Sequence, residues 1–223
     1  MGNKILFFGK HIAILFLFFF LFLFVFQKKS NPGVGLDPSW VTALSEAHKY
    51  NYQFGKDIIF TYGPYGFSAT NQYHPDTINL SLFAGLFLAI GFFTTFYLYF
   101  KSEHWLKTIV FLAILVFFIG LNLGFDSLAY IYLTINGYLL LNIHEPEKNY
   151  KLVLLLFPLG LLVLIKGTLI IVVTFVIFLS IVNSVLSKNF KTTFFLLIIP
   201  TVSMILFWII SNQDIKNIPS YFI

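Results

Sequence analysis

Leu152–Leu186, LVLLLFPLGLLVLIKGTLIIVVTFVIFLSIVNSVL, is a run of 35 residues whose one charged member is Lys166. As a single helix it would extend about 50 Å at 1.5 Å per residue, against a bilayer hydrocarbon core of about 30 Å. Two segments, Leu152–Ile165 and Thr168–Leu186, turning at Lys166-Gly167-Thr168, remove the mismatch. The first is short and contains Pro158 and Gly160, which suits a tilted, kinked or partly inserted helix. The turn also decides sidedness, because it brings Lys166 and the C-terminal tail to the side that holds the one long polar loop. The fold expected is all-α, a polytopic membrane helical bundle.

The rest of the chain reads outward from there. Further apolar runs place spans at about 5–26, 80–100, 108–125, 127–143 and 192–210, with a long loop at 27–79, so residues 1–223 form a single transmembrane domain. Hydrophobic residues make up 58% of the chain, 30 of them phenylalanine, and only 10% are charged; soluble domains carry about 25% charged residues. With no cysteine, disulfides, thiolate metal sites and cysteine nucleophiles are excluded. The net charge of +5 comes entirely from lysine, clustered at the ends of apolar runs, where lysines orient a membrane protein instead of binding nucleic acid. Richness in Phe, Ile, Asn and Lys without arginine resembles the product of an AT-rich bacterial genome.

The first run follows Lys4 and Lys10, but Val25-Phe26-Gln27-Lys28-Lys29 offers no small-residue cleavage site, so it reads as an uncleaved helix. With a cytoplasmic N-terminus, Lys101, Lys107, Lys148, Lys151, Lys188 and Lys191 join Lys4 and Lys10 inside. Asp37, Glu46, Asp57, Asp76, Asp126 and Asp214 then lie outside, with Glu103, Glu145 and Glu147 within; Lys28-Lys29 runs against this orientation. The location expected is the bacterial cytoplasmic membrane.

Within the extracytoplasmic loop, Asp37-Pro38 reads as a helix start, Asp at the N-cap and Pro at the first helical position. Trp40, Val41, Leu44, Ala47 and His48 recur at helical spacing, giving an interfacial amphipathic helix that Asn51–Gly55 ends. Ile58–Tyr62 is extended in character, Gly63-Pro64-Tyr65-Gly66 is a turn, and Ser211–Ile223 is a polar tail. Asn136 and Asn183 are expected to hydrogen-bond between helices.

This arrangement, one helix followed by a large outer loop that opens with Asp and an interfacial helix, resembles the GT-C superfamily of membrane glycosyltransferases. More closely, DPSW and FGKDIIFTYGPYGF resemble a largely uncharacterised group of bacterial GT-C-like membrane proteins. Lys166-Gly167-Thr168 and Trp208…Asn212-Gln213…Ile218-Pro219-Ser220-Tyr221 look like later landmarks of that group. The resemblance implies transfer of a sugar from a polyprenyl-phosphate carrier to a glycan or lipid acceptor at the outer face, with Asp37 as catalytic base and Asp126 as the second acidic residue. Such proteins continue for several hundred residues, so this chain reads as an N-terminal fragment.

The chemistry needs a carboxylate to deprotonate the acceptor hydroxyl and a cation to meet the departing phosphate. Asp37 is the candidate base, with N-capping as its plainer role. Asp126 is a candidate for positioning the acceptor or helping to hold a divalent metal, with capping of the fourth span as the plainer role. Lys166 is the candidate phosphate contact, since a lysine among apolar segments is costly; snorkelling at a turn is the plainer reading. Trp40, Tyr62 and Tyr65 could stack on a sugar, with interfacial anchoring as the plainer role. Asp57 could support Asp37 or pair with Lys56 or Lys49. His74-Pro75-Asp76 is too slight for a metal site, and there is no nucleotide-type glycine loop. The competing readings are a transporter or channel, whose polar residues would sit at mid-membrane in broken helices, and a non-catalytic truncated remnant.

Overall fold

The computed structural model describes residues 9, 11–16, 19, 30–31, 33, 35–70, 72–101, 105–120, 124–142 and 149–223, and the structural statements below concern those residues. Most of the expected first helix (5–26) lies outside them, although residues 11–16 are helical. Lys28-Lys29 and the links 102–104, 121–123 and 143–148 also lie outside.

The chain is all-helical, and no strand occurs among the described residues beyond isolated bridges. Helix α1 is Leu36–Lys49, followed by a short 3-10 turn at Gly66–Ala69. Then come α2 (Ile78–Phe100), α3 (Trp105–Gly120), α4 (Phe125–Leu141), α5 (Asn149–Ile165), α6 (Leu169–Leu186) and α7 (Phe190–Ile210). A 3-10 turn at Ile215–Asn217 leads into the one-turn helix α8 (Ile218–Tyr221). Three helices, α2, α6 and α7, are long and apolar enough to cross a membrane.

Helix α5 is the centre. Leu155, Leu156, Leu159, Leu161, Leu162, Leu164 and Ile165 are all buried, which is what a helix apolar on every face requires. Its closest approaches are made where side chains are smallest. A Cβ on Gly91 of α2 would stand 2.3 Å from Cγ of Pro158, and one on Gly160 would stand 2.4 Å from the Met204 nitrogen and 2.7 Å from the Pro200 oxygen of α7. Pro158 and Pro200 both lie inside helices, and each is packed against a glycine's missing side chain.

Buried polar groups tie the same helices together. Asn136 of α4 donates to the Leu155 carbonyl at 2.9 Å, to Tyr132 Oη at 3.1 Å and to Thr95 Oγ1 of α2 at 3.3 Å. Asn183 of α6 donates to the Leu141 carbonyl of α4 at 2.8 Å. Both asparagines therefore bond between helices, as their placement in apolar runs predicts.

Two local expectations are corrected. Helix α1 opens at Leu36 with Gly35 at the N-cap (φ 132°), so Asp37 and Pro38 fall inside the first turn and Asp37 is not the cap. The segment 211–223 is not a free polar tail: it folds back onto the loop after α1, as described next.

Candidate functional site

The loop after α1 is built by its ends. Helix α1 closes on Asn51 (φ 55°), with Asn51 N–H donating to the His48 carbonyl at 3.1 Å and Tyr52 N–H to the Ala47 carbonyl at 2.9 Å. Helix α7 closes in the same way on Asn212 (φ 59°), with the Ile209 and Trp208 carbonyls accepting at 2.9 and 3.2 Å. Both are Schellman closures with Asn in the left-handed position, where its short polar side chain is tolerated. Each sets a glutamine just beyond the closing turn, Gln53 and Gln213, and the two meet. Phe54 N–H donates to Gln213 Oε1 at 2.8 Å, and Asp214 N–H donates to Gln53 Oε1 at 2.7 Å. Gln213 Nε2 adds a bond to the Tyr52 carbonyl at 3.1 Å, and Gln53 Nε2 one to the Asn212 carbonyl at 3.1 Å.

From this clasp the chain turns through Gly55 (φ 81°), where a Cβ would stand 2.6 Å from the Tyr221 nitrogen. It then extends past Tyr62, which forms an antiparallel bridge with Lys166. Gly63 N–H donates to the Ile165 carbonyl and Tyr65 N–H to the Leu164 carbonyl, both at 3.0 Å. Tyr221 Oη donates to the Val163 carbonyl at 3.0 Å, and Lys166 N–H to that of Leu162 at 3.1 Å. All four terminal carbonyls of α5, orphaned by helix geometry, are thereby satisfied. Tyr65 offers no face to a sugar and seals the junction instead: it is fully buried, donates to the Phe207 carbonyl at 3.0 Å and meets the Phe207 ring edge-on. Burial pushes the Tyr65 and Tyr221 hydroxyls up from the ordinary phenol range, so both act as neutral donors.

On the other side, residues 72–77 strap α1 down. Gln72 Nε2 donates to Thr42 Oγ1 at 2.6 Å, His74 Nε2 lies 3.0 Å from Glu46 Oε1, and Thr77 Oγ1 donates to Ser45 Oγ at 3.3 Å. The backbone N–H of Asp76 donates to His74 Nδ1 at 3.3 Å, which makes Nε2 the protonated nitrogen that donates to Glu46. The His74 bond holds the Glu46 carboxyl below its ordinary pKa.

These contacts bring together four of the candidates. Lys166 Nζ forms a short hydrogen-bonded ion pair with Asp126 Oδ2 in the first turn of α4. The same ammonium lies 5.2 Å from the centre of the Tyr62 ring, within cation–π range. Tyr62 stacks on Trp40 at 4.9 Å with the planes 23° apart. Asp126, Lys166, Tyr62 and Trp40, supplied by α4, the α5–α6 turn, the loop and α1, thus form one continuous line of contacts. Burial alone would push the Lys166 amine down. The hydrogen bond to Asp126, with Tyr62 and the Asp126 charge beside it, outweighs that and holds it above the ordinary lysine value.

Asp126 is not the cap of α4, a position taken by Gly124. One of its oxygens engages Lys166, while Oδ1 is buried without a hydrogen-bond partner among the described residues. Lys166 has three donors to place, and Asp126 is its one side-chain acceptor among the described residues. Asp37 lies on α1 one turn before Trp40; its side chain lies outside the described residues. Asp57 does not join the line: it accepts from Gln53 N–H at 2.9 Å within its own turn. Lys49, one of its expected partners, lies 3.8 Å from both Glu46 and Asp76 instead. Asp57 does share with Trp40 and Phe60 a groove of about 510 Å³ between α1 and the extended segment.

The sequence places Gly63 in a turn and Gln213 and Tyr221 among the landmarks of the resemblance, but assigns none of them, nor Gln53, the part it plays in assembling the site. The readable signal was the pair of helix ends Asn51-Tyr52-Gln53 and Asn212-Gln213. Among the described residues no three His, Asp or Glu side chains gather as metal ligands. The chain matches no protein-family model, no curated protein and no solved structure.

Proposed function

We propose that the chain is a polytopic membrane protein and a GT-C-like glycosyltransferase, or the N-terminal part of one, that moves a sugar from a polyprenyl-phosphate carrier to a glycan or lipid acceptor at the outer face of a bacterial cytoplasmic membrane. The observation that supports it is the Asp126–Lys166–Tyr62–Trp40 line, drawn from four separate segments to one end of the helices beside the turn that carries Asp37. Its residues are those that the chemistry calls for: an ammonium held charged by its carboxylate partner, and stacked aromatic faces of the kind that pack on sugar rings.

In this reading Asp37 accepts the proton of the acceptor hydroxyl as its oxygen bonds to the anomeric carbon. The bond from that carbon to the phosphate oxygen breaks, and the carrier phosphate leaves with the electron pair. Lys166 turns its remaining donors to the phosphate oxygens, where a charged group held in place lowers the barrier most. Asp126 keeps Lys166 protonated and aimed, and Trp40 and Tyr62 orient the sugar.

The test is release of free polyprenyl phosphate from a panel of polyprenyl-phosphate hexoses by the chain in proteoliposomes. Asp37→Asn and Lys166→Met should each abolish release while leaving membrane insertion unchanged. Full activity in Asp37→Asn would reject the base assignment, and full activity in Lys166→Met the phosphate contact.

A further inference from the structure

The Tyr62–Lys166 bridge divides its surroundings into two faces. Paired residues of an antiparallel bridge point to the same side and their neighbours to the other. Tyr62 and Lys166 therefore face Asp126, while Thr61 and Gly167 face away, into a separate groove of about 500 Å³. Its walls are Ile59 and Phe60 from the loop, Ile170 and Ile171 from α6, and Phe222.

Two of these walls are apolar and open. Ile59 is 89% exposed, at the crest of the extended segment, and Ile171 is 72% exposed. Ile171 also begins a stripe: Ile171, Phe175, Phe178 and Val182 recur at helical spacing and are all exposed. That stripe belongs to the most apolar of the helices able to cross a membrane, so the groove is its continuation past the first turn of α6. Thr61, Thr168 and Ser220 stand at the same groove and supply the polar groups that a chain leaving the hydrocarbon would meet.

We infer that this groove seats a hydrocarbon chain of an outer-leaflet lipid, with Ile59 inserted at the hydrocarbon edge beside α6. The surface is distinct from the Lys166–Asp126 face, and the inference rests on the membrane reading above but not on sugar transfer. Leaving Ile59 in water would forfeit the burial of a whole isoleucine side chain. An apolar crest that extends a lipid-facing stripe does not bear that cost in a bilayer.

The absence of cysteine makes the test direct. Spin labels are placed singly by Ile59→Cys, Ile171→Cys, Asp57→Cys and Phe175→Cys, and the full chain is reconstituted in phosphatidylglycerol–phosphatidylethanolamine vesicles. Power-saturation spectroscopy then compares collision with oxygen, which concentrates in hydrocarbon, and with a water-soluble nickel chelate. Labels at 59, 171 and 175 should favour oxygen, and the label at 57 should favour nickel, reversing the sign of the log ratio over two residues of chain. A label at 59 as open to nickel as that at 57 overturns the inference in favour of a wet loop. Labels at 59 and 171 closed to both reagents overturn it in favour of cover by protein. Should Phe175 also favour nickel, the membrane reading falls and this inference with it. Sugar-transfer activity leaves the readout unchanged.

Discussion

Gln53 and Gln213 each accept a hydrogen bond from the backbone N–H of the residue following the other, at 2.8 Å from Phe54 and 2.7 Å from Asp214. The exchange spans about 160 residues of chain and clasps the loop after α1 to the segment after α7. The two halves are unequal, since Phe54 is buried while the Asp214 half is exposed. Gln213→Leu strands a buried N–H and should cost about 1–3 kcal/mol. Gln53→Leu should cost less, because water replaces its contacts. Unfolding titrations of both single variants and the double variant in detergent micelles measure this. Strict additivity would show that the two side chains do not act as a unit.

Glycine at the α5–α7 crossing is required by space. Gly160→Ala should lower stability by about 1–3 kcal/mol through overpacking, because its Cβ meets main-chain atoms of Met204 and Pro200 that cannot swing aside. Gly124, with nothing within 4 Å of its Cβ position among the described residues, is the control, and Ala there should cost only the modest preference for Gly over Ala at the N-cap of α4, less than at Gly160. Thermal midpoints in one detergent decide it, and equal midpoints would reject the close crossing.

The Lys166–Asp126 pair makes a prediction about the amine itself. Its pKa is raised because Asp126 overrides burial, so Asp126→Asn leaves burial less opposed and the pKa falls. At a fixed alkaline pH the Lys166 amine should then acetylate faster with acetic anhydride, read by mass spectrometry, while exposed Lys216 is unchanged. The same shift makes the pair's contribution to stability complete below the ordinary lysine pKa of 10.5, with loss as pH rises through the higher folded value. Unaltered Lys166 labelling in Asp126→Asn would disprove the coupling.

Acid should act on the strap region first through His48. Burial lowers its pKa below 6.5, so the unfolded chain takes up the proton before the folded one. Stability is therefore fully present above 6.5 and declines as pH falls below it. Glu46, lowered from 4.5 by its bond to His74, contributes above 4.5 and is lost only at more acid pH. The decline in melting temperature between pH 6.5 and 5 should vanish in His48→Phe, and its persistence there would assign the proton elsewhere.

The parts of this architecture legible in the sequence are those with a local physical cost. A lysine in the middle of a 35-residue run that is otherwise uncharged is costly in hydrocarbon, and α5 ends and α6 begins on either side of it. Asn136 and Asn183 had to find partners across helices for the same reason. Which partners they found was not legible, and neither was the tail. Ser211–Ile223 looks like polar overhang because its bonds go to residues some 160 positions away, and no periodicity reports that. The Lys166–Asp126 pair lies between these cases. Both residues were conspicuous one at a time, but the contact depended on how α4 leans against α5. Asp37 shows the limit of boundary signals: Asp-Pro marks a helix start to within a residue or two, while Gly35 holds the cap.

The capped end of α5 has an electrostatic consequence. A helix terminates in a pole of about half a negative charge carried by its unpaired carbonyls, and α5 terminates directly before Lys166. Left bare, that pole would repel any anion drawn toward the ammonium. Here the lone pairs of Val163, Leu164 and Ile165 are turned into the N–H of Tyr65 and Gly63 and the hydroxyl of Tyr221. The pole of α5 therefore adds little to the negative charge that Asp126 already sets beside the ammonium.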